Sequence, residues 1–254
     1  MHTLEQSVFD MYKECSIGSN PICQRCRTHE KKKFGRLSNP VSFWHIGEQF
    51  QADPNRCLFI GKNTVDGSDF PVIDGVHDTR LGGRVLYLYG HSPFWTYTDK
   101  IVRRAYDLSN RRETLSCIAI TNLIKCNHST GEECGDTTSD SMRQSCLEQL
   151  GVVWKEVDIL KPRHIILYTG ASDYDSHIER FHYGDAFQDE NETNKSTQIP
   201  LGKNRLPWWE RNFYSNKQLV LRMLRTGHPQ GKSIEYIDHV AEWLKEGRTL
   251  FPEA

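Results

Sequence analysis

The chain has 254 residues, 37% of them hydrophobic and 26% charged, which is ordinary for a globular protein and leaves enough apolar material for a full core. Lys+Arg 32 against Asp+Glu 33 gives a formal net charge of -1, which excludes a polycation wrapping DNA or an anionic membrane as a whole. Any nucleic-acid contact must therefore use a local patch. The opening residues carry Glu5, Asp10 and Glu14 in place of a basic and then apolar leader, and no apolar run approaches the roughly 18 residues of a membrane span. A cytoplasmic protein with no membrane partner is expected, and a monomer. In that reducing compartment its 8 cysteines point to a metal or cluster site instead of a disulfide framework.

No fixed-period repeat is present, and the chain alternates short apolar runs with helical patterns. Four runs read as buried parallel strands: Cys57 to Ile60, Cys117 to Thr121, His164 to Thr169 and Leu219 to Arg225. One helical pattern contains Ile101, Val102, Ala105, Tyr106 and Leu108. A second opens at Ser141 and runs through Leu147, Leu150, Val153, Trp154, Val157 and Leu160 until Pro162, and a third begins near Ser233 and closes before Gly247. The expected fold class is α/β, a three-layer α/β/α sandwich around a central four-stranded parallel sheet. One domain over residues 1–254 is expected, with a basic, cysteine-containing segment at 15–40. Residues 173–216 read as an insertion between the third and fourth strands, acidic and mobile in its first half and aromatic at Trp208 and Trp209, which pack it onto the core.

Ligands of an open parallel sheet bind outside the carboxyl ends of its strands. Those ends are polar here: Gly61, Lys62 and Asn63 after the first, Thr121 and Asn122 after the second, Thr169 and Gly170 after the third, Gly227, His228 and Pro229 after the fourth. Two amides and an imidazole thus converge on one crevice. The cysteines supply a second constellation. Cys23 and Cys26 form a C-x2-C pair, Cys126 follows the second strand, and Cys146 lies in the next helix, four thiolates suited to zinc or an iron-sulfur cluster. Cys15 and Cys134 are the substitutes, while Cys57 and Cys117 open buried strands and read as inert core.

These residues resemble the uracil-DNA glycosylase superfamily, and within it the branch carrying a four-iron, four-sulfur (4Fe-4S) cluster. The resemblance rests on the C-x2-C pair, on ITNLIKC ending at Cys126, on Cys146 opening a helix that ends in LKPRHIILYTG, and on the His-Pro of GHPQGKS, an order covering most of residues 15 to 235. It implies that Cys23, Cys26, Cys126 and Cys146 ligate the cluster, that Asn122 hydrogen-bonds a flipped base, that Phe94 stacks on that base and that His228 sits by its oxygen. The first motif departs from the pattern. Gly61-Lys62-Asn63-Thr64-Val65 lacks the proline that follows the glycine in the family, and Asn63 matches the asparagine of the mismatch-specific branch. The stiff wall at the base C5 position is then missing, and the loop from Val65 to Gly83 is long.

The implied activity is that of a monofunctional DNA glycosylase, which flips a pyrimidine out of the duplex and hydrolyses its N-glycosidic bond to leave an abasic site. The base is uracil or a C5-modified cytosine, including a glucosylated one of the kind found in some bacteriophage genomes, which implies DNA repair in the first case and antiviral defence in the second. Asn63 would position the water and His228 would stabilise the departing anion. Gly61 and Asn122 would line the base site. Lys62 is open between a phosphate contact and a Schiff-base role. Phosphate contacts to the DNA partner are expected from Lys31, Lys32 and Lys33 and from Lys232, with Arg27, Arg36, Arg103, Arg104, Arg111 and Arg112 as further candidates. The alternative is a non-catalytic nucleic-acid-binding module with a four-cysteine zinc site, which needs the cysteines and the basic patch but not the three polar strand ends.

Overall fold

The structure, a computed structural model, describes residues 3–33, 37–63, 70–128, 138–170, 173–188, 197–201 and 204–251. In chain order the helices and strands are α1 (Thr3–Glu14), α2 (Pro21–Lys33), β1 (His45–Ile46), β2 (Cys57–Asn63), β3 (Val72–Ile73), β4 (Val76–His77), α3 (Arg80–Tyr89), α4 (Pro93–Tyr106), α5 (Arg111–Cys117) and β5 (Ile118–Ile124). They continue with α6 (Asp140–Arg143), a π-helical turn (Gln144–Gln149), α7 (Val152–Leu160), β6 (His164–Leu167), α8 (Asp175–Ile178), β7 (Phe187–Gln188), β8 (Thr197–Leu201), β9 (Asn204–Ser215), β10 (Gln218–Arg225) and α9 (Ile234–Arg248).

All four expected parallel strands are present, side by side in the order β5-β2-β6-β10. Each is an apolar run because both faces of the sheet are covered. On one face Leu58, Ala119, Ile165 and Met223 meet Val8 and Met11 of α1 and Val153 and Val157 of α7. On the other, Phe59, Ile120, Ile166 and Leu224 meet Trp95 and Val102 of α4 and Ile237 and Val240 of α9.

The expectation of a four-stranded sheet is corrected by the antiparallel additions. β1 pairs with β5 at one edge, β9 and then β7 extend the other beyond β10, and β8 pairs with β9 off the main path. Residues 173–216 lie between the third and fourth parallel strands, as expected, and contribute α8, β7, β8 and β9 there. Their second half is the long strand β9, which puts Trp208 in one core and Trp209 in the other, so the packing role expected of the pair holds. The acidic stretch at 189–196 lies outside the described residues. The single helix expected from Ser141 to Leu160 is also corrected: Gly151 in the left-handed conformation (φ 59°) separates the π-helical turn from α7.

Helix α1 is tied in by a buried polar cluster. The Tyr12 hydroxyl donates to Glu156 of α7, whose other oxygen accepts from Thr121 Oγ1 at 2.7 Å, and Lys125 Nζ lies 2.5 Å from Glu156 Oε1. Among the described residues no helix is long and apolar enough to cross a membrane.

Two buried histidines make the fold acid-sensitive. His45 faces the Leu115 carbonyl and His164 the Asn55 carbonyl, and burial lowers each from 6.5 to about 4. The unfolded chain then binds protons that the native chain refuses as pH falls below 6.5, so this contribution to stability is whole above that pH and is lost toward pH 4. The expected loss is on the order of 3 kcal/mol per histidine. Urea titrations of His45→Gln between pH 7 and 4 should show a correspondingly shallower decline, and an unchanged slope would contradict it.

Candidate active site and cysteine cluster

The helices that follow β2 pack on one face of the sheet and those that follow β5 on the other, the arrangement in which open parallel sheets bind ligands at the carboxyl ends of their strands. Gly61 and Asn122 are cross-strand partners there. A Cβ on Gly61 would lie 2.4 Å from the Asn122 amide and 3.2 Å from Phe94 Cε2, so the missing side chain is what lets amide and ring meet over the strand. Phe94 is set by Pro93 at the start of α4, and its ring packs edge-on against Trp95 and Tyr168, with centroids 4.8 and 5.6 Å away. It faces the His228 imidazole at 6.2 Å with an interplanar angle of 24°.

His228 sits on the loop between β10 and α9. Tyr236 donates to the Gly227 carbonyl and Tyr97 to the Lys232 carbonyl, both at 2.8 Å, and the Lys232 stem lies across Gly227. His228 Nδ1 accepts from the Gln230 backbone N–H at 3.2 Å, which puts the proton of a neutral imidazole on Nε2. Asn63, two residues beyond Gly61, donates from Nδ2 to Asn127 Oδ1 at 2.9 Å, leaving its own carbonyl oxygen as the acceptor. The sequence-predicted residues are therefore linked in a chain, Asn122 and Phe94 over Gly61 and His228 facing Phe94, with Asn63 on the same strand end. Lys62 is not with them. Strand alternation sends it to the opposite face, where its Nζ lies 6.0 Å from the Tyr174 ring centroid.

The four cysteines lie on the face of α1 and α7. Cys26 is buried and Cys23, Cys126 and Cys146 pack against the same core. Burial raises the thiols of Cys26, Cys126 and Cys146, Cys126 to about 12, and each is raised further by other members of the set; Cys146 feels Cys126, Cys26 and Cys23. Donors surround the sulfurs: the Gly18 N–H reaches Cys23 Sγ at 3.2 Å, and Arg27 and the Lys125 backbone act on Cys126 and Cys146. Among the described residues no group of three or more His, Cys, Asp or Glu side chains is arranged to hold a single metal ion. The seven described cysteines are free thiols. Cys57 and Cys117 are buried core, Cys15 lies 3.1 Å from Lys155 Nζ, and Cys134 is outside the described residues.

The basic candidates divide. Lys31, Lys32 and Lys33 are exposed and close α2 as its last turn, where the cation at a helix C-terminus is favoured. Lys32 also lines, with Arg25 and His29, an open concavity of about 480 Å³ on the outer side of α2, which none of the strand-end residues touches. Arg27 turns inward to the Ser38 carbonyl at 3.0 Å, Arg104 pairs with Asp238, and Arg111 holds the carbonyls of Tyr87, Leu88 and Gly90, so each of these three has a partner within the fold. Arg103 lies 3.8 Å from Asp99, Arg112 is exposed, and Arg36 is outside the described residues.

Sequence reasoning missed Trp44, whose indole N–H reaches the Asn122 amide at 2.7 Å, and Asn127, which holds Asn63. Neither lies in a motif. A scan against protein-family models gives no match, and a search of curated proteins gives none.

Proposed function

We propose that the chain is a monofunctional DNA glycosylase that hydrolyses the N-glycosidic bond of a flipped pyrimidine, uracil or a C5-modified and in the extreme glucosylated cytosine, and so acts in DNA repair or antiviral defence. The observation that carries this reading is the convergence of Gly61, Asn122, Phe94 and His228, beside Asn63, at the carboxyl ends of parallel strands. The parallel core β5-β2-β6-β10 with helices on both faces is also the architecture expected of a uracil-DNA glycosylase-like fold. A zinc-bearing binding module would have no use for these residues together.

The roles follow from chemistry. Phe94 offers a flat face to a flipped base, and the Asn122 amide offers a donor and an acceptor to its Watson–Crick edge. The Asn63 carbonyl orients a water whose oxygen bonds to the sugar C1′ as the bond from C1′ to the base nitrogen breaks. The bonding pair leaves with the base, the His228 Nε2–H stabilises the resulting anion, and the proton given up by the attacking water ends on that base, so the products are a neutral base and the C1′ hydroxyl of an abasic sugar. Lys62, on the other face, takes no part, which makes the enzyme a hydrolase without strand cleavage. Cys23, Cys26, Cys126 and Cys146 would hold a 4Fe-4S cluster whose contribution when bound is structural, fastening α2 and its lysines to the sheet. Lys31 to Lys33 and Lys232 contact DNA phosphates.

Matched oligonucleotides carrying uracil, 5-hydroxymethylcytosine or glucosylated 5-hydroxymethylcytosine decide between the substrates. Release of any of them supports the glycosylase reading, release of uracil alone removes the enlarged pocket, and release of none by iron-replete protein refutes the activity. Gly61→Ala should push the Asn122 amide and Phe94 aside. A misplacement of about 1 Å costs on the order of 100-fold in rate, so single-turnover base release by the folded variant should fall by about that factor, with overpacking costing roughly 1–3 kcal/mol of stability besides.

A further inference from the structure

Trp44 lies just before β1, its backbone N–H bonded to the Ile120 carbonyl at 2.9 Å, so the indole stands beside the end of β5. The ring is clamped: Trp95 and Phe70 meet it edge to face at 5.8 and 6.3 Å, and the Gly83 backbone of α3 approaches so closely that a Cβ there would lie 2.2 Å from the Trp44 carbonyl. The indole N–H is therefore a fixed donor in a buried site. Asn122, 4% exposed, satisfies its neighbours in one orientation: Oδ1 accepts from Trp44 Nε1 at 2.7 Å and Nδ2 donates to the Thr121 carbonyl at 3.2 Å. Turned over, the amide would set oxygen against carbonyl oxygen and NH2 against indole N–H, two buried mismatches. In the satisfied orientation the amide nitrogen is the atom over Gly61.

We propose that Trp44 is the positioning residue for base selection: it pins the Asn122 amide so that a pyrimidine edge meets donor and acceptor in fixed places. A 4-oxo pyrimidine carries an acceptor at position 4 and a donor at N3, and a 4-amino pyrimidine carries the reverse. An amide free to rotate by 180° reads both, whereas a pinned amide reads one. This inference rests on the glycosylase reading and names the device that sets its selectivity, separate from the C5 wall discussed above.

The test uses pairs of oligonucleotide bases identical at C5 and different at C4: uracil and cytosine, their 5-hydroxymethyl forms, and the glucosylated 5-hydroxymethyl forms. On the pair it acts upon, the wild type is expected to favour one member by at least about 100-fold, as a site that hydrogen-bonds its substrate does. Trp44→Phe keeps the ring and removes the donor, and should lower that ratio by at least about tenfold whatever it does to the absolute rate. A ratio unchanged in Trp44→Phe, or a wild type that takes both members equally, overturns the proposal with the glycosylase activity intact. Hydrogen exchange at the Trp44 indole in the unmodified protein serves if the variant does not fold: strong protection that is lost in Asn122→Ala supports the pinned amide, and exchange at the rate of an exposed tryptophan overturns it. Should the wild type release no base at all, the glycosylase reading fails, and the exchange measurement still decides whether the amide is held.

Discussion

On the glycosylase reading, His228→Ala and Asn63→Ala are each expected to lower the single-turnover rate of base release by about 100- to 1000-fold, with DNA affinity nearly unchanged. The magnitude is that of removing one preorganised donor, roughly 3 to 4 kcal/mol of transition-state stabilisation. For His228 the structure supplies the preorganisation: the Gln230 N–H on Nδ1 fixes the tautomer, and Tyr97 and Tyr236 brace the loop that carries the ring. The ring pays no cost of reorganising as charge develops. For Asn63 the corresponding brace is Asn127, which takes the Nδ2 hydrogen and leaves the oxygen for water. Because both groups act on the transition state and not on the bound duplex, chemistry and binding separate. Asn127→Ala, which removes the brace but not the amide, should lose less than Asn63→Ala. A loss smaller than about tenfold in both His228→Ala and Asn63→Ala, under single-turnover conditions with saturating enzyme, would remove these assignments.

How much of this was legible in the sequence depends on whether the deciding interaction is local. The four parallel strands stand out because burial on both faces forces apolar runs such as CLFI and HIIL. Their polar ends stand out for the same reason, by contrast. Strand β9 was unreadable: its RLPWWERNFYS carries Arg211 and Asn212, yet Arg211 is 3% exposed, donating to the Ile178 carbonyl and lying over the rings of Trp209 and Phe213. A buried arginine satisfied from α8 cannot be told from a loop arginine by pattern alone. Helix α1 hides its apolar stripe of Leu4, Val8, Met11 and Tyr12 among Glu5, Gln6, Asp10 and Lys13. The site was visible as a list of residues, but Gly61 opposite Asn122 is a matter of register, and Trp44 reaches Asn122 across 78 positions that no spacing rule connects.

Protein purified without oxygen is expected to be brown and to contain iron and sulfide in the proportions of a 4Fe-4S cluster, and Cys126→Ser is expected to lose both and to release α2. The reason lies in how that helix is docked. Of its residues Pro21–Lys33 only Cys26 and Glu30 are buried, with Ile22 and Cys23 partly buried against the same core, so its apolar contact is short and a helix this polar is held weakly by the hydrophobic effect alone. Polar contacts add to it. Glu30 accepts from Ser139 Oγ and pairs with His128 Nε2, both at 2.7 Å, and Cys23 and Cys26 face Cys126 and Cys146. Metal binding replaces thiol protons, so a cluster on these four sulfurs would tie α2 to the segments that carry Cys126 and Cys146. Without it, the Glu30 carboxylate, the Arg27 bond to the Ser38 carbonyl and the small contact of Ile22 and Cys26 remain to hold thirteen residues that include Arg25, Lys31, Lys32 and Lys33. Trypsin should then cut within α2 at least about tenfold faster in Cys126→Ser than in wild type, while the sheet stays resistant. Cys117→Ser, a buried thiol in the other core, should keep its iron and its α2. Stoichiometric zinc without sulfide in the wild type would overturn the cluster and return the alternative of a zinc-bearing module; iron retained in Cys126→Ser would instead show that a different set of four cysteines holds it.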